Sequence, residues 1–199
     1  MNTPHPSPLL IKERGKFLPT VIVILGQTAT GKSNLAVKIA KLISGEIISA
    51  DARQVYKGLD IGTGKITKKE MKGIPHHLID VANPKYKFTV AEYQKKAISA
   101  IADIVLRGKT PIICGGTGFY IDAITKSIVF PGVPPNNKLR KILEKKSASE
   151  LFKILKKLDK NRAKDIENKN EQNNKVRLIR AIEIAKTLGK IPKITEARP

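Results

Sequence analysis

The chain has 199 residues, 41% of them hydrophobic, and a formal net charge of +21, which suits one α/β domain with a small appendage and a packed core. No stretch approaches the roughly 18 apolar residues of a membrane span, and Met1–Thr20 lacks the apolar run of a signal peptide. The single cysteine, Cys114, excludes an intrachain disulfide and fits a reducing, cytoplasmic setting.

Residues 1–18, rich in proline and charge, are expected to form a flexible lead-in. Thr20–Leu25 (TVIVIL) is a β-branched apolar run ending at a glycine and predicts a buried parallel strand. Gly26-Gln27-Thr28-Ala29-Thr30-Gly31-Lys32-Ser33 follows, and fits the G-x-x-x-x-G-K-[ST] phosphate loop in its required context, between a strand and a helix. The two glycines permit tight backbone conformations. Consecutive N–H groups at the helix start then cradle phosphate oxygens, with Lys32 expected on the terminal phosphate and Ser33 on Mg²⁺. The motif identifies a phosphate without saying which molecule carries it.

Ser33–Ile43 has the apolar spacing of a helix, through Leu35, Ala36, Ile39, Ala40 and Ile43. Glu46–Ser49 reads as a second strand that delivers Asp51 at its C-terminal end. A carboxylate there faces the same crevice as the phosphate loop and suits a general base or a metal-bound water. The competing role is a helix N-cap. Lys57–Gly73 reads as an ordered loop with one helical turn. Thr89 and Glu92 have the spacing of a capping box and open a helix whose apolar side runs through Tyr93, Ala97, Ile98, Ile101, Ile104 and Val105, ending at Arg107–Gly108.

Pro111–Cys114 predicts a third strand. Gly115-Gly116-Thr117-Gly118 then turns into a helix over Thr117–Thr125, with Thr117 either in the crevice or simply an N-cap. His76 and His77 have no partners at metal-ligand spacing and imply no zinc site. Cys114 is expected as packing. Strand and helix alternate to this point, which argues for a parallel sheet covered by helices.

The pattern changes at Pro131–Pro135, so a boundary is expected near Gly132, with an α/β core over 19–132 and a basic helical unit over 133–199. Lys138–Lys145, Ala148–Leu158 and Asn173–Thr187 predict amphipathic helices joined by short polar breaks. Met1–Val133 holds 19 Lys/Arg against 9 Asp/Glu, a net of +10; Pro134–Pro199 holds 19 against 8, a net of +11 in half the length. A segment this basic suits an RNA backbone, or equally a Lys-rich solvated surface. With only five Phe, four Tyr and no Trp, an open stacking platform of the RRM or cold-shock kind is not expected.

Together these segments resemble the tRNA dimethylallyltransferase (tRNA isopentenyltransferase) family. The matching blocks are GQTATGKS (Gly26–Ser33), SADARQVYKGLDIGTGK (Ser49–Lys65), PHHLIDV (Pro75–Val81), FTVAEYQ (Phe88–Gln94), PIICGGTGFYIDAI (Pro111–Ile124) and NNKVRLIRAIE (Asn173–Glu183). The resemblance implies an α/β fold with a P-loop NTPase-like parallel-sheet core and a small all-helical insert. It implies transfer of a dimethylallyl group from dimethylallyl diphosphate to N6 of an adenosine beside the anticodon of tRNA.

Under that resemblance Gly26–Ser33 hold the diphosphate, Mg²⁺ assists at Ser33, and Asp51 draws the N6 proton. Thr117 lies in the channel where the substrates meet, and Asp51, Ala52, Arg53 and Gln54 with Val176, Arg177, Leu178, Ile179 and Arg180 contact tRNA. Ala52 and Arg53 depart from the family's Ser-Met, and Gly64 from its alanine. Family members also continue beyond this chain's end, through an arginine that clamps the diphosphate. The resemblance therefore implies a monomer, or a pairing with a chain that supplies that segment. The readings set against it are a P-loop nucleotide or small-molecule kinase, an isopentenyltransferase of free adenine nucleotides, and a tRNA-binding fragment without catalysis.

Overall fold

A computed structural model describes residues 20–189; the expected lead-in at 1–18 lies outside them. The chain divides into two compact units between Ser127 and Ile128. Ile128–Gly132, assigned to the first unit from composition, therefore belong with the second. The prolines that suggested a boundary follow the change of unit rather than mark it.

The first unit is built on β1 (Ile22–Leu25), α1 (Lys32–Leu42), β2 (Gly45–Ser49), α2 (Lys68–Met71), β3 (His76–His77), α3 (Val90–Leu106), β4 (Thr110–Gly115) and α4 (Gly118–Thr125). Its sheet has the order β1-β4-β2-β3, with all pairs parallel. Side chains alternate across a strand, so one residue step changes the face. Ile47, Ile112 and Cys114 pack with Ala36, Val37 and Ala40 of α1. Ile48 and Ile113 pack on the other face with Tyr93, Ala97, Ile101 and Ile104 of α3 and with Tyr120 and Ile121 of α4. Both faces are covered, which is why the strands read as continuous apolar runs.

The strand β3 was not predicted. Two polar histidines carry no strand signal, and the pairing comes from Ile47 and Ile48 alongside them. At the N-terminal end of β2, Glu46 is 1% exposed. Its carboxylate takes a bidentate pair from Arg107, the Lys109 ammonium at 2.7 Å and His77 Nε2 at 2.7 Å. Arg107 does most to hold this acid far below the usual carboxylate range, against the opposing effect of burial. A buried charge is tolerable only when paired in this way, and the cluster ties β2, β3, the end of α3 and the start of β4 together.

The second unit holds α5 (Asn137–Glu144), α6 (Ala148–Leu158), α7 (Lys160–Asn168) and α8 (Lys175–Leu188). Each begins with a side-chain cap, from Asn136, Ser147, Asp159 and Asn174 respectively. The core is Leu143, Leu151, Leu155, Ala163, Ile166, Leu178, Ile179, Ala181 and Ile182. The helix α7 replaces what was expected as a polar break: it buries only Ala163 and Ile166, too few apolar positions to show a period. Glu183, also 1% exposed, accepts from the Asn136 N–H, from Arg140 Nε and Nη2 at 2.9 and 2.8 Å, and from Arg180. Burial works to raise its pKa, yet these donors bring it down to about 2.

Candidate active site

The site lies where the carboxyl ends of β1, β2 and β4 meet, the usual ligand position of an open parallel sheet. Three loops leave there and are stitched to one another. The Gly26 N–H donates to Gly115 O at 3.4 Å, Ala50 N–H to Cys114 O at 2.8 Å and Thr117 N–H to Ala50 O at 3.0 Å. Their closeness depends on Gly115. A Cβ built there would stand 2.1 Å from Ala50 O, so any side chain would push the Asp51 loop off the sheet.

In the phosphate loop Gly31 (φ 80°) caps α1 without a side-chain bond, and the first turn of α1 carries no acid. The first amides of a helix have no intrahelical partner, so this end offers free donors and the positive end of the helix dipole to an anion. Lys32 Nζ donates to Gln27 O at 2.8 Å and Thr30 Oγ1 to the same carbonyl at 2.8 Å, so the ammonium lies across the loop it is expected to share with phosphate. Gln27, Thr28, Ala29 and Thr30 are exposed, while Lys32 and Ser33 are half-buried. Under the loop, Ser33, Ser49, Gln54, His76 and Cys114 help to line a cavity of about 20 Å³, room for one water.

Asp51 is half-buried. Its Oδ1 accepts the N–H groups of Arg53 (2.8 Å) and Gln54 (3.3 Å), so the carboxylate does cap the following turn. The other oxygen makes no hydrogen bond among the described residues, and both expected roles can be held at once. Thr117 precedes α4 but makes no cap bond; its Oγ1 accepts the Ala52 N–H at 2.9 Å. The hydroxyl thus locks the Asp51 turn from across the crevice.

Of the other positions expected to meet RNA, Arg53 is exposed, and the Gln54 amide donates to Gly64 O at 3.2 Å. In the helical unit Val176 is 75% exposed, whereas Leu178 and Ile179 are core residues at 0% and 7%. An amphipathic helix must bury part of any five-residue run, so these two side chains are not available to a ligand. Arg177 pairs with Glu171, and Arg180 bonds Glu183 and the Val133 carbonyl.

Two supporting residues fall in the blocks Ser49–Lys65 and Pro111–Ile124. Lys65, its side chain 6% exposed, donates to Tyr56 O (2.8 Å), Asp60 (2.6 Å) and Asp80 (2.5 Å) and pins the loop from Lys57. Burial lowers its pKa, but the two carboxylates raise it further. Tyr120 stacks on Tyr93, with centroids 3.9 Å apart and planes at 16°. Its phenol is pushed up to about 12, chiefly by burial and then by Tyr56, Asp51 and Glu92 nearby. His76 donates from Nδ1 to Ile74 O at 2.8 Å, and burial lowers its pKa. Burial pushes the Cys114 thiol up to about 11, against the nearby Lys32 ammonium, so it stays an unreactive packing group.

A P-loop NTPase-like α/β core with its anion-binding loop at the carboxyl end of a parallel sheet is the class these features define. The family model for IPP transferase matches residues 54–198, and the chain belongs to that family. It is 48% identical over 170 residues to a tRNA dimethylallyltransferase of Anoxybacillus flavithermus, covering 85% of this chain and 53% of that protein. It is 47% identical over 174 residues to that of Caldanaerobacter subterraneus, covering 85% and 54%.

Two solved structures are also similar. The full-length tRNA isopentenylpyrophosphate transferase of Bacillus halodurans aligns with a TM-score of 0.58 and 40% identity, over 86% of this chain and 57% of that one. A eukaryotic dimethylallyltransferase acting on tRNA aligns at 0.69 and 31%, over 90% and 46%. The chain thus spans about half the length of the relatives it matches. Among the described residues no helix is long and apolar enough to cross a membrane.

Proposed function

We propose that this chain carries the diphosphate-binding and adenosine-activating half of a tRNA dimethylallyltransferase. The supporting observation is the stitched meeting of the phosphate loop, the Asp51 turn and the Thr117 loop at one sheet edge. This edge lies in a chain close to half identical to enzymes of that name. The substrates are dimethylallyl diphosphate and tRNA, and the reading puts the work in the cytoplasm.

An exocyclic adenine amine is a weak nucleophile, so most of the help must go to the leaving group. The loop amides at the head of α1, together with Lys32, bind the diphosphate and hold the charge that grows as the allylic C–O bond breaks. Asp51 accepts the proton from N6 as the N–C bond forms, with Oδ1 kept in place by its own turn and Oδ2 turned to the base. Thr117 sets that turn by holding Ala52.

The metal fits sparingly. Among the described residues no three of His, Cys, Asp and Glu come together as a metal site, which leaves Ser33 as the protein ligand. Mg²⁺ commonly takes one or two protein ligands, with substrate phosphate and water completing its shell. Bound there, it would neutralise charge on the diphosphate.

The test is transfer of label from radiolabelled dimethylallyl diphosphate to unmodified tRNA with Mg²⁺, using wild type, Asp51→Ala and Lys32→Ala. Transfer lost in both variants is the expected outcome. Transfer that survives Asp51→Ala removes the general base. A folded wild type that binds both substrates without transfer would assign this chain binding alone.

A further inference from the structure

Away from the crevice, one surface turn has features that the reaction above does not use. Asn83-Pro84-Lys85-Tyr86 closes through the Tyr86 N–H to Asn83 O (3.0 Å), and Asn83 Oδ1 takes the Lys85 N–H (2.9 Å). Proline at the second position sets the backbone for such a turn. Both flanks are held. The Ala82 N–H donates to Val55 O (2.8 Å), Lys57 N–H to Ala82 O (2.9 Å) and Phe88 N–H to the Tyr56 hydroxyl (3.1 Å). The turn is therefore fixed to the segment Gln54–Lys57 that leads directly away from Asp51.

On this platform Tyr86 is 73% exposed, the most exposed aromatic side chain among the described residues. Lys85 and Lys87 on either side of it, and Lys57 on the adjoining segment, are exposed. None of the three lysines is ion-paired among the described residues. The acids nearest along the chain are committed elsewhere, Glu92 to the Thr89 N–H and hydroxyl at 2.7 Å each and Asp60 and Asp80 to Lys65.

A single exposed apolar residue is ordinary. A flat ring on a locked turn between unpaired cations is a more specific combination, because it joins a stacking face to charges placed for phosphates. A protein partner would call for a wider apolar patch, and the residues flanking the ring in the chain are asparagine, proline and lysine. The turn is already ordered, so binding would cost little conformational entropy.

We propose that Tyr86, with Lys57, Lys85 and Lys87, is a second contact to the RNA substrate. The ring stacks on an unpaired base other than the one modified, and the lysines meet neighbouring phosphates. This inference rests on the reading that the substrate is tRNA, whose anticodon loop supplies unpaired bases next to the target adenosine.

The experiment measures affinity of the full chain for unmodified tRNA over a series of salt concentrations. It compares wild type, Asp51→Ala, Tyr86→Ala, Tyr86→Phe and the double variant Lys85→Ala/Lys87→Ala. Tyr86→Ala should bind roughly 5- to 150-fold more weakly, the range lost with one stacked base, and Tyr86→Phe should stay within about twofold because the ring and not the hydroxyl makes the contact. The double lysine variant should flatten the slope of log affinity against log salt by about 1 to 2.

Wild-type affinity and slope in Tyr86→Ala and in the double variant would overturn the second contact. If wild type still bound tRNA while these variants bound as it does, the assignment of function would stand. A folded wild type with no affinity for tRNA would remove both.

Discussion

The two ends of β2 carry acids five residues apart that have opposite fates. Glu46, at the N-terminal end, is buried and saturated by Arg107, Lys109 and His77. Asp51, just past the C-terminal end, spends one oxygen on two backbone amides and keeps the other open to the crevice. The first arrangement fastens four elements and leaves nothing for a ligand. The second is only as strong as a turn needs, and leaves one oxygen unengaged among the described residues. A carboxylate with every lone pair satisfied is structural, and one deliberately left half-satisfied at a sheet's carboxyl edge is the candidate for chemistry.

That contrast can be broken from either side. Asp51→Ala should lower transfer by about 10²- to 10⁴-fold, the usual worth of a general base, while thermal unfolding shifts only by the loss of a turn cap; an unfolding midpoint that collapses would place Asp51 with Glu46. Glu46→Gln should do the reverse. It leaves the partly exposed Arg107 and Lys109 facing a neutral group and should lower stability in a denaturant titration. In an active preparation, transfer per folded molecule should be close to wild type.

Acid sharpens the comparison in the helical unit. The folded pKa of Glu183, about 2, lies below its ordinary value of 4.5. Its stabilisation is therefore complete above about pH 4.5 and is lost as the pH falls toward 2. Far-UV circular dichroism on acid titration should show that loss, and Glu183→Gln should start from lower stability with a flatter profile across the same window. The smallest expected change is at Thr117. Thr117→Val leaves the Ala52 N–H without its acceptor, a cost of about 1–3 kcal/mol if the amide stays dry, and should reduce transfer by loosening Asp51. Thr117→Ser should restore both; equal activity of the valine and serine variants would exclude a positioning role.

Local signals made much of the first unit legible. The phosphate loop, the Thr89–Glu92 capping box and the apolar runs of β1 and β4 each depend on neighbours a few residues away. They led to element bounds within a residue or two of those found: Pro111–Cys114 against Thr110–Gly115, for example. The same rule starts α2, the expected helical turn, and α6, the expected Ala148–Leu158 helix, through the capping boxes Thr67–Glu70 and Ser147–Glu150. What stayed hidden depends on distant partners. Glu46 and Arg107 are 61 positions apart, Arg140 and Glu183 are 43 apart, and no periodicity connects them. Leu178 and Ile179 show the opposite limit. A matching block names a stretch of chain, but only the packing of α8 decides which of its side chains face outward.

Gly115 carries one more consequence. A methyl group there would collide with Ala50 O at 2.1 Å, whereas a Cβ on Gly118, three residues later at the head of α4, would meet nothing within 4 Å. In a library containing every single substitution, Gly115 should therefore be a position where no replacement survives selection for activity. Gly118 should accept alanine freely, since alanine favours a helix over glycine. Two glycines in one short motif would then have different tolerances, set by whether a neighbouring backbone already fills the space.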